Sequence, residues 1–340
     1  MKVKKSYLLY FLSRSLFLGG GISTLFLYSS KDAYISIILG TLLGIIIVYI
    51  ISNISKGINT NIHEYLKKNS LLNILIKISF LLYLLFLIFL LLTILATFLY
   101  SYFLVFTPSF ISCLPFIFLA TYLNSKSINK ISSIAQVLIV ISLVLVFLKT
   151  ILLANSYDFN NLLPIFSIKT TNIFKTALIF SILSTVPYIT LIDENITFKE
   201  SIKYYLISTF TIFIVVVVIT IVLGQMVNIY SYPEYSVLRK ISLFDFIENI
   251  ENFISASWFF DIFISLSVCA FKLKQIINAK KQSIPFIISL IILYIVNKYI
   301  ADNFYNSMII YKSFPLILAI FLVLLIILFI IKKIYKNIDS

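Results

Sequence analysis

Side chains that carry chemistry are scarce in this chain. It has one histidine, two cysteines, one tryptophan, and 12% charged residues, where a soluble domain carries about 25% charged residues. His63 lies in the polar stretch NTNIHEYLKKN (59–69) and reads as a solvated loop residue. Cys113 and Cys269 fall inside apolar runs, where a free cysteine behaves as a small hydrophobe. These counts exclude a disulfide scaffold and a metal site, because no His, Cys and carboxylate set has ligand spacing. No nucleophile–base pair, G-x-S-x-G elbow or phosphate-binding loop is present either. The chain therefore reads as a non-enzyme with no metal and no cofactor. No polar stretch is long enough to form a soluble domain.

What the chain does have is apolar length. Hydrophobic residues make up 61% of its 340 residues and mean hydropathy is +1.07. Apolar runs of roughly 20 residues recur, the length that crosses a hydrocarbon core of ~30 Å. Ten all-α spans can be drawn, at about 7–29, 33–54, 71–103, 108–123, 130–153, 173–192, 202–224, 242–271, 284–300 and 313–331. They make residues 1–340 a single polytopic membrane domain. The basic start (Lys2, Lys4, Lys5) runs into a span without a small-residue cleavage pattern, so no cleavable signal peptide is expected. With the N-terminus in the cytoplasm, nineteen Lys and Arg fall on the cytoplasmic side and eight on the other. This bias orients the protein with both termini inside. It also accounts for the net charge of +14 without a nucleic acid partner, since no basic patch accompanies a soluble module.

Breaks in the apolar pattern locate a site. Gly19, Gly20 and Gly21 interrupt the first span, and Ser184-Thr185-Val186-Pro187 interrupts the sixth. Five spans precede the second break, so two repeats (about 7–153 and 173–331) must enter the membrane from opposite sides. Paired breaks in corresponding spans of inverted repeats point to a midplane binding site. Glycine lets a ligand approach the backbone, and the half-helix starting near Gly21 and Ile22 offers free amides to a carboxylate. Pro187 frees carbonyls around Ser184 and Thr185 for an ammonium group. The expected ligand is a zwitterion of amino-acid size. Thr93 or Thr97 from span three and Ser257 from span eight are expected to complete the pocket. Gly40-x-x-x-Gly44 in span two reads as a helix-packing surface.

Intramembrane charges are few. Asp261 is the one acid deep in a span, and it reads equally well as functional or structural. Arg14, Lys77 and Lys149 lie near span ends, where snorkelling accounts for them. Asp245 and Glu248, preceded by Arg239 and Lys240, suggest a charged network at the entrance to span eight.

The longest distinctive stretch, YPEYSVLRKISLFDFIENIENFISASW from Tyr232 to Trp258, resembles the B subunits of bacterial spore germinant receptors. These are the spore-germination permeases of the amino acid–polyamine–organocation superfamily. Ile131-Ser-Ser-Ile-Ala-Gln136, Asn160-Asn161-Leu162-Leu163-Pro164-Ile165 and Asp32-Ala33-Tyr34-Ile35-Ser36 extend the resemblance collinearly over nearly the whole chain. It implies ten helices in two inverted repeats, with discontinuous first and sixth helices. It also implies a receptor subunit in the spore inner membrane that binds a small germinant such as an amino acid. The implied partners are an A subunit and a lipoprotein C subunit. A secondary transporter coupled to protons or sodium is the alternative that the same fold allows. Two positions depart from the family pattern: Glu248 is followed by Asn249 where an arginine is expected, and Asp261 stands where a small or apolar residue is expected.

Overall fold

The computed structural model describes residues 4–18, 20–58, 62–66, 70–104, 107–124, 127–241, 250–279, 281, 283–301 and 303–338. Every regular element among them is helical: α1 (Tyr7–Arg14), α2 (Gly20–Ser29), α3 (Ala33–Ser55), α4 (Ile62–Tyr65), α5 (Leu71–Phe98), α6 (Ser109–Asn124), α7 (Ile128–Leu152), α8 (Thr170–Thr185), α9 (Phe198–Leu223), α10 (Pro233–Leu238), α11 (Ile250–Ile277), α12 (Ser283–Val296) and α13 (Phe304–Ile338). Helices dominate because a backbone in hydrocarbon must satisfy its own hydrogen bonds.

Seven helical stretches among the described residues are long and apolar enough to cross a membrane by length and composition. The sequence suggests ten spans, and the difference has local causes. The first span is split into α1 and α2, of 8 and 10 residues, and α2 continues into α3 through a 3-10 turn at Ser30–Asp32. Helix α6 has 16 residues, about 24 Å at 1.5 Å per residue, and Pro115 lies within it without ending it. Helix α11, 28 residues long, carries Asp261, Lys272 and Lys274, and its described residues are not among the seven. Exposed apolar side chains such as Leu42, Val140, Phe147, Phe210 and Leu316 cover the outside, as lipid-facing surfaces require.

Packing places α11 at the centre, against α1, α5, α6, α7 and α12, while α3 lies along α8 and α9. Glycine makes the second contact possible. A Cβ at Gly40 would stand 2.6 Å from the Ala177 carbonyl oxygen of α8, and one at Gly44 would overlap the Tyr205 hydroxyl of α9. Helix α3 can thus approach α8 at backbone distance and leave room for the Tyr205 side chain of α9.

Candidate functional site

Both sequence breaks are places where α-helix stops. Helix α1 ends at Arg14, α2 begins at Gly20, and Gly19 lies outside the described residues. The chain closes on itself there: the Ile22 amide donates to the Phe17 carbonyl at 3.2 Å. A Cβ at Gly21 would overlap the Leu16 carbonyl, and one at Gly20 would overlap the ring of Tyr311 on α13. The second break is the change from α8 to the 3-10 segment Val186–Leu191 after Thr185, with Pro187 in its first turn. Its polar groups are engaged. Ser184 donates to the Phe180 carbonyl and Thr185 to the Ser181 carbonyl, while the Val186 carbonyl accepts from Tyr83 at 2.9 Å.

A cavity of about 410 Å³ lies beyond Tyr311. Its walls are Ser23 and Leu27 of α2, Thr97 of α5, Tyr100, Ser101 and Tyr102, the segment Val227–Tyr232, Ala301, and Ser307, Met308 and Tyr311 of α13. Tyr100, Ser101, Tyr102 and Ala301 belong to two π-helical segments, Leu99–Phe103 and Asn297–Ala301, a local distortion frequent at functional sites. Thr97 joins three walls: its hydroxyl is 2.6 Å from that of Tyr311 and accepts from Tyr232 at 2.9 Å. Phe98 braces the back, with ring centroids 5.5 Å from Tyr232 and from Trp258 and 5.7 Å from Tyr235.

Of the residues expected at the pocket, Thr97 lines this cavity and Ile22 lines a smaller one described below, while Gly20 is packed behind Tyr311. Thr93 is buried and donates to the Phe89 carbonyl. Ser257 is buried on α11, and Ser184 to Pro187 are buried outside the walls of both cavities. Asp245 and Glu248 lie outside the described residues. Most of the cavity walls were missed in the sequence, although one signal was available. The tripeptide Tyr-Ser-Tyr occurs at 100–102 and again at 230–232, and the two copies face each other, with Tyr102 and Tyr232 ring centroids 4.9 Å apart. Ser307, Met308 and Tyr311 were missed because α13 starts at Phe304, nine residues before the apolar run does.

The smaller cavity, about 30 Å³, is bounded by Arg14, Phe17, Leu18, Ile22, Thr211, Ile212, Val215, Glu234, Trp258 and Asp261. Here the snorkelling assignment of Arg14 is corrected. Its side chain is 6% exposed, and Nη2 and Nε each lie 3.2 Å from Asp261 Oδ2. Nη1 bonds the hydroxyls of Tyr10 and, at 2.9 Å, Thr211. Lys149 is likewise buried and shares the wall of an adjoining crevice with Glu234 and Trp258, whereas Lys77 is exposed. The reason is the break: ending α1 at Arg14 turns the guanidinium into the bundle, where α11 offers a carboxylate. Asp261 Oδ1 is buried and has no hydrogen-bond partner among the described residues.

A second buried ion cluster ties chain segments together. Lys272 of α11, with no side-chain exposure, binds Asp193 at 2.5 Å and also Glu194, which receives Lys5 at 2.6 Å. Asp193 accepts the Ile62 amide at 3.1 Å. Burial alone would raise the Glu194 carboxyl, but the Lys272 charge and the hydrogen bonds from Lys272 and Lys5 outweigh it. They hold the carboxyl below its ordinary value. The cluster joins the segment before α1, the α8–α9 loop, α4 and α11.

The arrangement is a bundle of apolar helices with a polar chamber beside a broken helix. Comparison with protein families agrees. The profile of the spore germination protein family, a permease family, matches residues 7–305. No curated protein matches the chain closely enough to add to this. With nearly its whole length matched, the chain belongs to the spore germination protein family of permease-like membrane proteins.

Proposed function

We propose that this protein is the germinant-binding membrane subunit of a spore germinant receptor, and that the germinant enters the cavity between the two Tyr-Ser-Tyr segments. The observation that carries this reading is the cavity itself. At about 410 Å³ it lies in the range of small-molecule pockets. Its walls come from α2, α5, α13 and the loop after α9, so occupancy can be felt by several helices at once. Tyr311 is the connection to the break: its hydroxyl meets Thr97 at the cavity, and its ring covers Gly20. Moving that ring would open the backbone around Gly20, Gly21 and Ile22, where the sequence argument places a ligand.

In the same reading, α1 to α7 and α8 to α13 are two inverted five-span repeats, each broken in its first span. The protein sits in the spore inner membrane with both termini cytoplasmic and acts with an A subunit and a lipoprotein C subunit. A proton- or sodium-coupled transporter is the second reading. It is favoured by the buried Arg14–Asp261 pair beside the break and by Lys149 and Glu234 near it.

Ser231→Trp fills the cavity. Spores carrying it should accumulate the protein in the membrane yet lose their response to the germinant that triggers the parent strain. An unchanged dose–response, with the variant present at parental level, would remove the cavity from the receptor function.

A further inference from the structure

Helices α3 and α9 leave a groove between them that shares no wall residue with either cavity described above. Its volume is about 580 Å³, within the ~300–1,000 Å³ of small-molecule sites. Ile37, Thr41 and Ile45 form one side at helical spacing, and Leu206, Phe210 and Phe213 form the other. Both helices belong to stretches long and apolar enough to cross a membrane. Leu42 and Phe210 in its walls are 58% and 62% exposed, so the groove opens on hydrocarbon. Its two threonines spend their hydroxyl protons on their own helices: Thr41 donates to the Ile37 carbonyl at 2.8 Å and Thr209 to the Tyr205 carbonyl at 3.0 Å.

Positive charge gathers at one end. Tyr49 of α3 meets Phe198 of α9 edge-on, with ring centroids 5.3 Å apart, which sets the start of α9 beside the last turns of α3. Lys199 and Lys203 stand there, both exposed, on the helical stripe that continues through Leu206, Phe210 and Phe213. Lys203 lies 5.7 Å from the Tyr204 ring. Neither lysine meets a carboxylate among the described residues, and Glu200 between them is taken by Lys4 at 3.1 Å. From Lys203 to Phe213 is ten residues of α9, about 15 Å at 1.5 Å per residue, or one leaflet of a ~30 Å core.

An apolar slot one leaflet deep, with two cations at its mouth, complements a molecule that joins an anion to a hydrocarbon chain. A transmembrane helix is a poorer match. Helices associate in lipid through small residues that allow close approach, and the glycines of α3 already face α8 and Tyr205, leaving Ile, Leu and Phe at the groove. We infer that the groove between α3 and α9 is a binding site for one anionic phospholipid, its acyl chain laid between the helices and its headgroup held by Lys199 and Lys203. The site is separate from the larger cavity, so the receptor reading stands or falls apart from it.

The test is native mass spectrometry of the full chain, delipidated in detergent and titrated with phosphatidylglycerol or with phosphatidylethanolamine of the same acyl chains. One phosphatidylglycerol should bind before any further lipid and at least fivefold more tightly than phosphatidylethanolamine. Lys203→Gln should weaken that first site about fivefold for phosphatidylglycerol and leave phosphatidylethanolamine little changed, since a lysine near a lipid surface is worth ~1 kcal/mol, a factor of about five. Leu206→Trp fills the slot and should abolish the first site while later lipids bind as before. Lys203 is exposed and Leu206 is 42% exposed, so neither replacement disturbs packing inside the bundle. Equal binding of the two lipids, or a first site that survives Leu206→Trp or ignores Lys203→Gln, overturns the inference. So does a dimer that forms without lipid and is lost in Leu206→Trp, which would give the groove to a second copy of the chain.

Discussion

Asp261→Asn isolates the buried ion pair and has a defined expected cost. The substitution keeps shape while removing the charge that faces Arg14 at 3.2 Å. At an effective dielectric of ~20 a pair at that separation is worth about 5 kcal/mol. Removing one partner of a buried pair costs about 3–5 kcal/mol, because the other charge is left uncompensated. Asparagine can still accept one guanidinium hydrogen bond, so the lower end, about 3 kcal/mol, is expected. The double variant Arg14→Met/Asp261→Leu should behave differently. Replacing a buried pair by apolar side chains is often neutral or stabilising, by about 1–4 kcal/mol. The groups that Arg14 leaves behind keep other partners: Tyr10 lies 3.1 Å from the Ser142 hydroxyl, and Thr211 donates to the Ser208 carbonyl at 2.7 Å. The assay is built into the chain, since Trp258 is its one tryptophan and lines the same small cavity. Denaturant unfolding of the purified protein, read by its fluorescence, should rank parent and double variant together and Asp261→Asn well below. Equal stability of all three, within about 1 kcal/mol, would refute the reading of Arg14–Asp261 as a desolvated, mutually dependent pair.

Two further outcomes follow from the packing and the second ion cluster. Gly20→Ala should destabilise the protein by about 1–3 kcal/mol, the usual cost of overpacking, because its Cβ overlaps the Tyr311 ring. Adding Tyr311→Ala should recover part of that loss, and strictly additive single-variant effects in the unfolding assay would show that the two do not touch. At Glu194, whose folded carboxyl is held below the ordinary value, the sign of the pH dependence is set. Its contribution is fully present above the unfolded carboxylate range, about pH 4.3, and is lost as pH falls through the lower folded value. Glu194→Gln should therefore unfold more easily than the parent at pH 7, with the gap closing in acid. A gap that stays constant from neutral to acid pH would contradict the assignment.

Much of this protein is legible in the sequence because the responsible forces act locally. Hydropathy over windows of about 20 residues identifies a membrane protein and nearly every helix. Gly20-Gly21 and Pro187 mark where helix gives way, since backbone sterics and a missing amide act within one turn. The two Tyr-Ser-Tyr segments were also visible, though nothing local says that they face each other. That juxtaposition spans 130 residues of chain and exists only because α5 and the loop after α9 meet around Thr97. Position along a span fails for charges for the same reason. Arg14 and Lys149, each near the end of an apolar run, are buried, because exposure depends on what the bundle brings opposite. For Arg14 that is Asp261, 247 positions away, and Lys272 likewise lies beside Asp193 and Glu194 from another segment. Composition and local geometry therefore determined the solvent, the helices and their breaks. Tertiary packing alone decided which polar groups are paired, where space is left open, and the chemical character of its walls, since a buried charge or hydroxyl is satisfied only by groups that distant parts of the chain deliver to it.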